Sequence, residues 1–292
     1  MTIYHLGLIG YPLDRSLSPK IHSAALTACG LDGDYSLFPI EPDDKKELKE
    51  LLFRVRSGEV TGLNVTIPHK QNVIPFLDEL TPTAKAIGAV NTIYLREDKL
   101  IGDNTDAPGF MSDLNIFLAG SPSPVLGEGL GVREKLALVL GAGGSARAIV
   151  YALKNDGWNV IISARRLEQT QELSSCFEDI TAIELNVQTF QLFNLQLIVN
   201  TTPLGMTPNI DQSPLPENLS LLQNVVVYDL VYNPTETKLV RDARSQGLKA
   251  TTGLGMLIEQ AALSFEIWTG CNPPRNILFE AVRATRLDKS NH

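Results

Sequence analysis

The sequence predicts an α/β protein with largely parallel β-sheets. Short apolar runs alternate with segments that carry apolar residues at helical spacing, and this alternation is typical of sheets built from strand–helix–strand units. A glycine-rich turn, Gly141 to Ala146, stands between one such run and one such segment. The 292 residues, 43% of them hydrophobic, suffice for two medium domains, each with its own core.

The first part of the chain alternates strand and helix patterns. Strands are predicted at residues 2–9, 35–40, 62–67 and 89–96, with 99–103 as a short partner of the last. Helices are predicted at 18–29 and 45–56. Ser18 would cap the first of these helices and Pro19 would open it.

The second part repeats the alternation. Strands are predicted at residues 135–140, 158–163, 182–185, 197–200 and 225–230, and helices at 147–154, 255–268 and 273–285. Residues 120–134 are rich in Gly, Ser and Pro and have no periodicity. We therefore expect a loop there, near the start of a second folding unit.

The composition argues against nucleic acid and membranes as partners. The net charge is −8 and the charged residues are interspersed, so the chain lacks a basic stripe for an anionic polymer or lipid surface. Its apolar stretches fall short of the roughly 20 residues that a membrane-spanning helix needs. The N-terminus also lacks the positive region of a secretory signal.

Neither the cysteines nor the histidines have the spacing of a structural site. Cys29, Cys176 and Cys271 are isolated and odd in number, so we expect no disulfide framework and no zinc motif. The four histidines lack metal-ligand spacing. A reducing, cytoplasmic location and chemistry without a metal are the resulting expectations.

One turn fits the dinucleotide-binding pattern G-x-G-x-x-A: Gly141, Ala142, Gly143, Gly144, Ser145 and Ala146. Gly141 permits the tight turn, Gly143 lets the backbone approach a pyrophosphate, and Ala146 lets helix and strand pack closely. The helix N-terminus would offer unpaired N–H groups to the phosphates. An ordinary tight turn is the alternative, but the strand before the turn and the helix after it favour dinucleotide binding.

The end of the next predicted strand indicates which dinucleotide binds. NAD sites usually carry Asp or Glu there for the ribose hydroxyls, whereas this chain has Arg165 and Arg166. A carboxylate would repel a 2′-phosphate, and two guanidinium groups can pair with it. The sequence therefore predicts NADP, the alternative being that both arginines are a solvated strand end.

Polar residues follow several predicted strands of the first part, where a parallel sheet places its ligands. Ser16 and Ser18 stand beside a helix N-terminus and could hold a carboxylate, although a turn residue and a helix cap explain them equally well. Lys70 and Asp106 could form a proton-transfer pair, since a desolvated lysine can be tuned toward neutral pH. The residues alone indicate a binding site of unknown chemistry.

Eight short segments are spread over nearly the whole chain: GYPLDRSLSP, GLNVTIPHK, GAVNT, NTD, GAGGSARA, NTTPLGM, YDLVYNPTET and GLGMLIEQA. In their sequences, their order and their separations, these segments resemble the shikimate dehydrogenase family. One such motif would be weak, whereas eight in order are specific.

The resemblance implies NADPH-dependent reduction of 3-dehydroshikimate to shikimate, a step of aromatic amino-acid biosynthesis. Lys70 and Asp106 would be the catalytic pair, with Lys70 donating a proton to the carbonyl oxygen. Substrate-binding residues would be Ser16, Ser18, Asn64, Thr66, Asn91, Tyr232 and Gln260. Leu230, Gly253 and Met256 would lie by the nicotinamide.

The resemblance also implies two α/β domains with the active site in an interdomain cleft. The substrate domain, with a mainly parallel sheet, would comprise residues 1–106 and the C-terminal helices in 253–292. A Rossmann-like NADP-binding domain, residues 107–252, would be inserted between them. NADP-dependent members often read Asn-Arg-Thr after the second cofactor strand, where this chain has Ala164, Arg165 and Arg166, with Gln169 at the place of a further arginine.

Two other functions fit parts of the pattern. An NAD-using quinate/shikimate dehydrogenase would share the fold and the lysine–aspartate pair, but Arg165 and Thr66 argue against it. A non-catalytic ligand sensor would be expected to have lost that pair or the glycine turn, and both are intact. We expect a small-molecule substrate and a monomer or homodimer.

Overall fold

The computed structural model describes residues 2–119, 135–184, 186, 193–216, 219, 221 and 224–289. The chain divides into two compact units: Met1–Gly109 with Leu257–His292 form the first, and Phe110–Met256 form the second. The predicted loop 120–134 and residue 185, the last of one predicted strand, lie outside the described residues.

The first unit begins with the strand–helix alternation that its sequence predicts. Its elements are β1 (Ile3–Gly10), α1 (Ser18–Ala28), β2 (Asp32–Pro39), α2 (Lys45–Arg56), β3 (Gly62–Val65), α3 (His69–Asn72), β4 (Glu79–Leu80), α4 (Pro82–Ile87), β5 (Thr92–Arg96) and β6 (Lys99–Asp103). A 3₁₀ turn, Ile74–Phe76, follows α3.

These strands form one mixed sheet in the order β2-β1-β3-β5-β6-β4. Strands β2, β1 and β3 are parallel, whereas β5 is antiparallel to both β3 and β6. The β5–β6 hairpin turns at Glu97 and Asp98, which have φ of 50° and 60°. A two-residue turn with two positive φ angles matches the right-handed twist of the strands it joins.

The second unit contains a fully parallel sheet. Its strands are β7 (Leu136–Leu140), β8 (Asn159–Ser163), β9 (Ile180–Ala182), β10 (Leu197–Asn200), β11 (Val226–Asp229) and β12 (Ala250–Thr252), and its helices are α6 (Gly144–Asn155), α7 (Leu167–Ser175) and α8 (Lys238–Ser245). Helix α5 (Asp106–Ala119) leads into this unit and α9 (Leu254–Thr269) leads out of it, whereas α10 (Arg275–Lys289) belongs to the first unit. The strand order is β12-β11-β10-β7-β8-β9, with parallel pairing throughout. The direction of winding reverses beside β7, which is where Rossmann-like sheets bind their ligands.

Each sheet buries apolar faces of its helices. In the first unit, Leu48, Leu51, Leu52 and Val55 recur at helical spacing along α2 and pack in one core cluster with Ile9 of β1. Asp44 caps this helix by accepting a hydrogen bond from the backbone N–H of Glu47 at 2.9 Å. In the second unit, residues of β7, β8 and β10 form a second cluster.

Two expectations from the sequence were wrong. Ser18 does not cap α1: it is the first helical residue, and its backbone N–H donates to Ser16 Oγ at 3.2 Å. Cys29 and Cys271 are disulfide-bonded across a sequence separation of 242, while Cys176 is free and exposed. The disulfide forms because α10 returns to pack against α1, a contact that residue spacing cannot reveal.

Two classes of site are absent from the described part of the chain. None of its helices is both long and apolar enough to cross a membrane. It also contains no group of three His, Cys, Asp or Glu side chains that could hold a metal ion.

Asp229, at the end of β11, is a buried carboxylate that organises the loops after the parallel strands. Its Oδ1 accepts from Asn200 Nδ2 at 2.8 Å and from the Val231 backbone N–H at 3.0 Å, and its Oδ2 accepts from Thr237 Oγ1 at 2.6 Å. Burial raises the pKa of Asp229 to about 6, although these three hydrogen bonds offset part of the shift. The folded state therefore binds this proton more tightly than a free carboxyl does.

We predict that Asp229→Asn changes how stability depends on pH. Since the folded-state pKa lies above the unfolded value, the folded protein binds the proton more tightly, and wild-type stability falls as the pH rises from about 4 to 7. An amide does not titrate in this range. The free energy of unfolding of the variant, relative to that of wild type, should therefore increase by about 2–3 kcal/mol as the pH rises from about 4 to 7. Urea unfolding of both proteins at a series of pH values measures the difference.

The carboxylate of Asp242, partly exposed and paired with Lys238, provides the control, because Asp242→Asn also removes one negative charge from the second unit. A difference between wild type and Asp229→Asn that stayed constant with pH would contradict the assignment of a raised pKa.

Candidate functional site

Lys70 and Asp106 form a buried ion pair in the first unit. Lys70 lies in α3, directly after β3, and Asp106 is the first residue of α5. The ammonium donates to Asp106 Oδ2 at 2.5 Å, and the two side chains are 11% and 6% exposed. An ion pair shielded from water in this way interacts more strongly than one on the surface.

The carboxamide of Asn91 connects this pair to its surroundings. Its Nδ2 donates to Asp106 Oδ1 at 2.9 Å and to Thr105 Oγ1 at 2.9 Å, with Gln260 Oε1 at 3.3 Å. Its Oδ1 accepts from the Thr105 backbone N–H at 2.8 Å. Asn91 therefore orients the aspartate oxygen that the lysine does not contact.

The start of α5 is held by Asn104. Its Oδ1 accepts from the backbone N–H groups of Asp106 and Ala107, and its Nδ2 donates to the Ala89 carbonyl at 2.9 Å. This is the geometry of a helix N-cap, so the Asn-Thr-Asp segment places the aspartate at a defined position.

Gln260, on α9, contacts the polar cluster that Lys70, Asn91, Thr105 and Asp106 form. The helix comes close to α5 at Gly109, where a β-carbon would lie 2.7 Å from the Gln260 backbone nitrogen. Only glycine allows this approach, and it brings the Gln260 amide to Asn91.

Asn64 lies at the other side of the cluster, next to an aromatic stack. Its Oδ1 accepts from the Tyr35 hydroxyl at 2.8 Å, and Tyr35 stacks on His22 with ring centroids 4.3 Å apart. Burial lowers the pKa of His22 to about 3, with Asn64 opposing the shift, so the imidazole is neutral. Burial also raises the pKa of Tyr35, and the Ser18 hydroxyl opposes that shift.

The remaining predicted substrate residues of the first unit lie at strand and helix ends. Ser16 precedes α1, and its hydroxyl accepts from the Ser18 backbone N–H. Thr66 lies between β3 and α3 and donates its backbone N–H to the Ile9 carbonyl at 2.8 Å. Ser18 is buried, whereas Ser16 and Thr66 are partly buried.

In the second unit, the glycine turn has the geometry that a pyrophosphate needs. Gly141 follows β7 with φ 114°, and a β-carbon there would lie 2.4 Å from Thr201 Oγ1. Gly143 precedes α6 without a side-chain cap, and a β-carbon there would meet no protein atom within 4 Å. The turn thus leaves open space beside the helix N-terminus, which fits the phosphates of a dinucleotide.

Ala142, Gly144 and Ser145 of this turn are partly buried, and Ala146 is fully buried. The small Ala146 side chain is what allows α6 to pack against the sheet, as the sequence motif predicts.

Arg165 and Arg166 lie between β8 and α7 with exposed side chains. In the described part of the second unit, neither guanidinium takes part in a salt bridge. Both charges are therefore available to an anionic ligand, which is what the 2′-phosphate of NADP requires.

The predicted nicotinamide residues cluster at the ends of β11 and β12. Gly253 approaches Leu230 so closely that a β-carbon would lie 2.3 Å from the Leu230 carbonyl oxygen. Met256 is buried in the first turn of α9, and Tyr232 is partly buried after β11. Burial raises the pKa of Tyr232.

Sequence reasoning missed several members of the first-unit cluster: Tyr35, Thr92, Thr105 and Ser264. Thr105 stands inside the Asn-Thr-Asp motif, so its position carried a signal. Thr92 likewise ends the GAVNT segment. Tyr35 and Ser264 carry no such local mark, and Ser264 reaches Thr92 only through folding, across 172 residues.

Comparison with known proteins identifies the chain at both ends. Residues 8–93 match the model of the shikimate dehydrogenase substrate-binding domain, and residues 253–283 match that of the shikimate 5'-dehydrogenase C-terminal domain. Shikimate dehydrogenase (NADP(+)) of Carboxydothermus hydrogenoformans is 39% identical over 280 residues, covering 94% of this chain and 95% of that protein. The Bacillus subtilis protein of the same name is 39% identical, with 91% and 92% covered.

A solved structure gives the same result at the level of the fold. Shikimate 5-dehydrogenase from Thermus thermophilus, in complex with NADP(H) and shikimate, is 36% identical, has a TM-score of 0.81, and is matched over 96% of this chain and 99% of that chain. The sequence relatives and the solved fold agree over nearly the full length, and the chain belongs to the shikimate dehydrogenase family.

Proposed function

We propose that this protein reduces 3-dehydroshikimate to shikimate, reversibly, with NADPH. The observation that carries the proposal is the Lys70–Asp106 ion pair, buried in the first unit and oriented by Asn91. A carbonyl reduction needs a proton donor fixed at the oxygen, and the lysine ammonium is such a donor. Family membership supplies the substrate class.

The chain's own residues perform the proton transfer. Lys70 donates a proton from Nζ to the carbonyl oxygen, which becomes the hydroxyl of the product. Asp106 holds the ammonium in place through Oδ2, while Asn91 fixes Oδ1 of the same carboxylate. When bound, NADPH supplies the hydride to the carbonyl carbon. In the reverse direction the neutral lysine accepts the hydroxyl proton.

The predicted polar residues of both units bind the substrate in this proposal. Ser16 and Ser18 take its carboxylate near the N-terminus of α1, where the helix dipole favours a negative charge. Thr66, Asn91, Tyr232 and Gln260 contact the carboxylate or ring hydroxyls, and Asn64 lies close to them. All but Tyr232 are in the first unit.

The second unit holds the cofactor. Gly141 to Ala146 cradle the pyrophosphate, while Arg165 and Arg166 pair with the 2′-phosphate. Leu230, Gly253 and Met256 lie beside the nicotinamide. The interdomain cleft, the domain limits 1–106, 107–252 and 253–292, a cytoplasmic location and a monomeric or homodimeric state stay predictions.

Initial rates test the proposal directly. We expect wild-type protein to oxidise shikimate with NADP much faster than it oxidises quinate or uses NAD, followed at the absorbance of the reduced nicotinamide. Comparable rates with quinate or NAD would make it a broader quinate/shikimate dehydrogenase. No turnover with any of the four combinations would contradict the proposal and favour a ligand sensor.

Lys70→Met should lower kcat by about 10²- to 10⁴-fold, because it removes the proton donor while preserving the length of the side chain. Lys85→Met, an exposed lysine of α4 in the same unit, is the matched control and should keep wild-type kcat. Steady-state rates with saturating shikimate and NADP decide the question. Near-normal turnover of Lys70→Met would refute the proton-transfer role.

Replacing both Arg165 and Arg166 by alanine should raise the KM for NADP by about tenfold or more, since each charge-assisted hydrogen bond to a phosphate contributes about 1.5–3 kcal/mol. The KM for NAD, which lacks the 2′-phosphate, should change little. Arg241→Ala, an exposed arginine of α8, is the control in the same unit. Equal losses for NADP and NAD would argue against 2′-phosphate recognition.

A further inference from the structure

Ser264 on α9 lies at the centre of a buried polar cluster. The proposed reaction gives this serine no role of its own. The side chain is fully buried. Its Oγ lies 3.0 Å from Asn64 Nδ2, 2.7 Å from Thr92 Oγ1 and 3.0 Å from Thr105 Oγ1, and it donates to the Gln260 carbonyl at 3.0 Å. One hydroxyl of α9 thus connects side chains of β3, of β5 and of the residue before α5.

The hydrogen-bonding capacity of a serine hydroxyl accounts for these contacts. The single proton goes to the Gln260 carbonyl, and the two lone pairs accept from Asn64 and from one of the two threonines. The other threonine can donate to Asn91 Oδ1, which lies 2.9 Å from Thr92 Oγ1 and 3.2 Å from Thr105 Oγ1. Ser264 is therefore saturated, and its hydroxyl is one of the two acceptors that Asn64 Nδ2 has.

The orientation of the Asn64 carboxamide depends on this contact. One Nδ2 proton goes to Ser264 and the other to the Asn91 carbonyl at 3.2 Å, while Oδ1 accepts from the Tyr35 hydroxyl. Without the Ser264 oxygen, a buried N–H would lack its partner, and such a loss destabilises the arrangement that requires it.

The docking of α9 does not depend on the same hydroxyl. The Trp268 indole N–H donates to the Ile93 carbonyl at 3.1 Å, and Ile258, Ala261 and Phe265 of this helix are fully or almost fully buried. Removing the Ser264 oxygen should leave the helix in place and release the polar side chains that it holds.

We propose that Ser264 is a positioning residue for substrate binding: it fixes the Asn64 carboxamide and the Thr92–Thr105 hydroxyl pair beside Asn91. This inference rests on the proposed function for the identity of the substrate. Ser264 acts through these neighbours and takes no part in the proton transfer between Lys70 and the substrate.

Ser264→Ala tests the proposal because it removes one oxygen and almost no volume. We expect the KM for shikimate to rise about 5- to 20-fold, as for a buried hydrogen bond left unpaired. The values of kcat and of the KM for NADP should stay within about twofold of wild type, because the lysine–aspartate pair and the second unit are untouched.

Thr269→Val provides the control on the same helix. Thr269 also donates to a carbonyl one turn earlier, Phe265 at 2.8 Å, but it caps Cys271 rather than contacting the polar cluster. An unchanged KM for shikimate in Ser264→Ala, with or without a lower melting temperature, would overturn the proposal. So would a KM increase equal to that of Thr269→Val.

A second variant and a pair of crystal structures test the role of Ser264 even if Ser264→Ala does not fold or the protein does not oxidise shikimate. Ser264→Cys, which retains a weak donor and acceptor, should give an intermediate KM and replaces the alanine variant if that one does not fold. Crystal structures of wild type and Ser264→Ala should show a rotated or disordered Asn64 carboxamide in the variant. If Asn64 kept its orientation in the variant, the inference about Ser264 would be refuted. The proposed function has a separate test, since it would be refuted if the wild-type protein did not oxidise shikimate.

Discussion

The charge of the Asp106 side chain, 6% exposed, has to be compensated inside the protein, and residues from several segments of the first unit meet that requirement. A buried charge without partners would cost several kcal/mol. Lys70 supplies the opposite charge at one oxygen, and the Asn91 amide supplies a hydrogen bond at the other. Because Lys70 lies in α3, Asn91 precedes β5 and Asp106 begins α5, the compensation also fixes where those three segments meet.

The second unit compensates a buried carboxylate by different means. Asp229 accepts from two side chains and one backbone N–H, all of them neutral, and burial raises its pKa to about 6. Asp106 instead has a lysine ammonium against one oxygen. The neutral environment suits a carboxylate that holds loops together, whereas a cation beside a carboxylate can exchange a proton with a ligand.

The sequence predicted most strands and the glycine turn because those features are local. The strand Leu197–Asn200 and the helix Lys45–Arg56 have their predicted limits, since apolar spacing alone defines them. Helix α5 was not predicted: Pro108 and Gly109 in its first turns disguise the helical pattern, and Gly109 is required by the close approach of α9. The contacts of Ser264 and the Cys29–Cys271 disulfide could not be predicted for a different reason, since each joins residues that are distant in sequence.

That disulfide changes the topology of the chain. It closes a covalent ring between two cysteines that are 242 positions apart, and the whole of the second unit lies within that ring. In the chain-entropy view, a ring of this size restricts the denatured ensemble by on the order of 5 kcal/mol at 25 °C. The disulfide thus keeps the two separate stretches of the first unit close together when the inserted unit is unfolded, which raises the effective concentration of each stretch around the other.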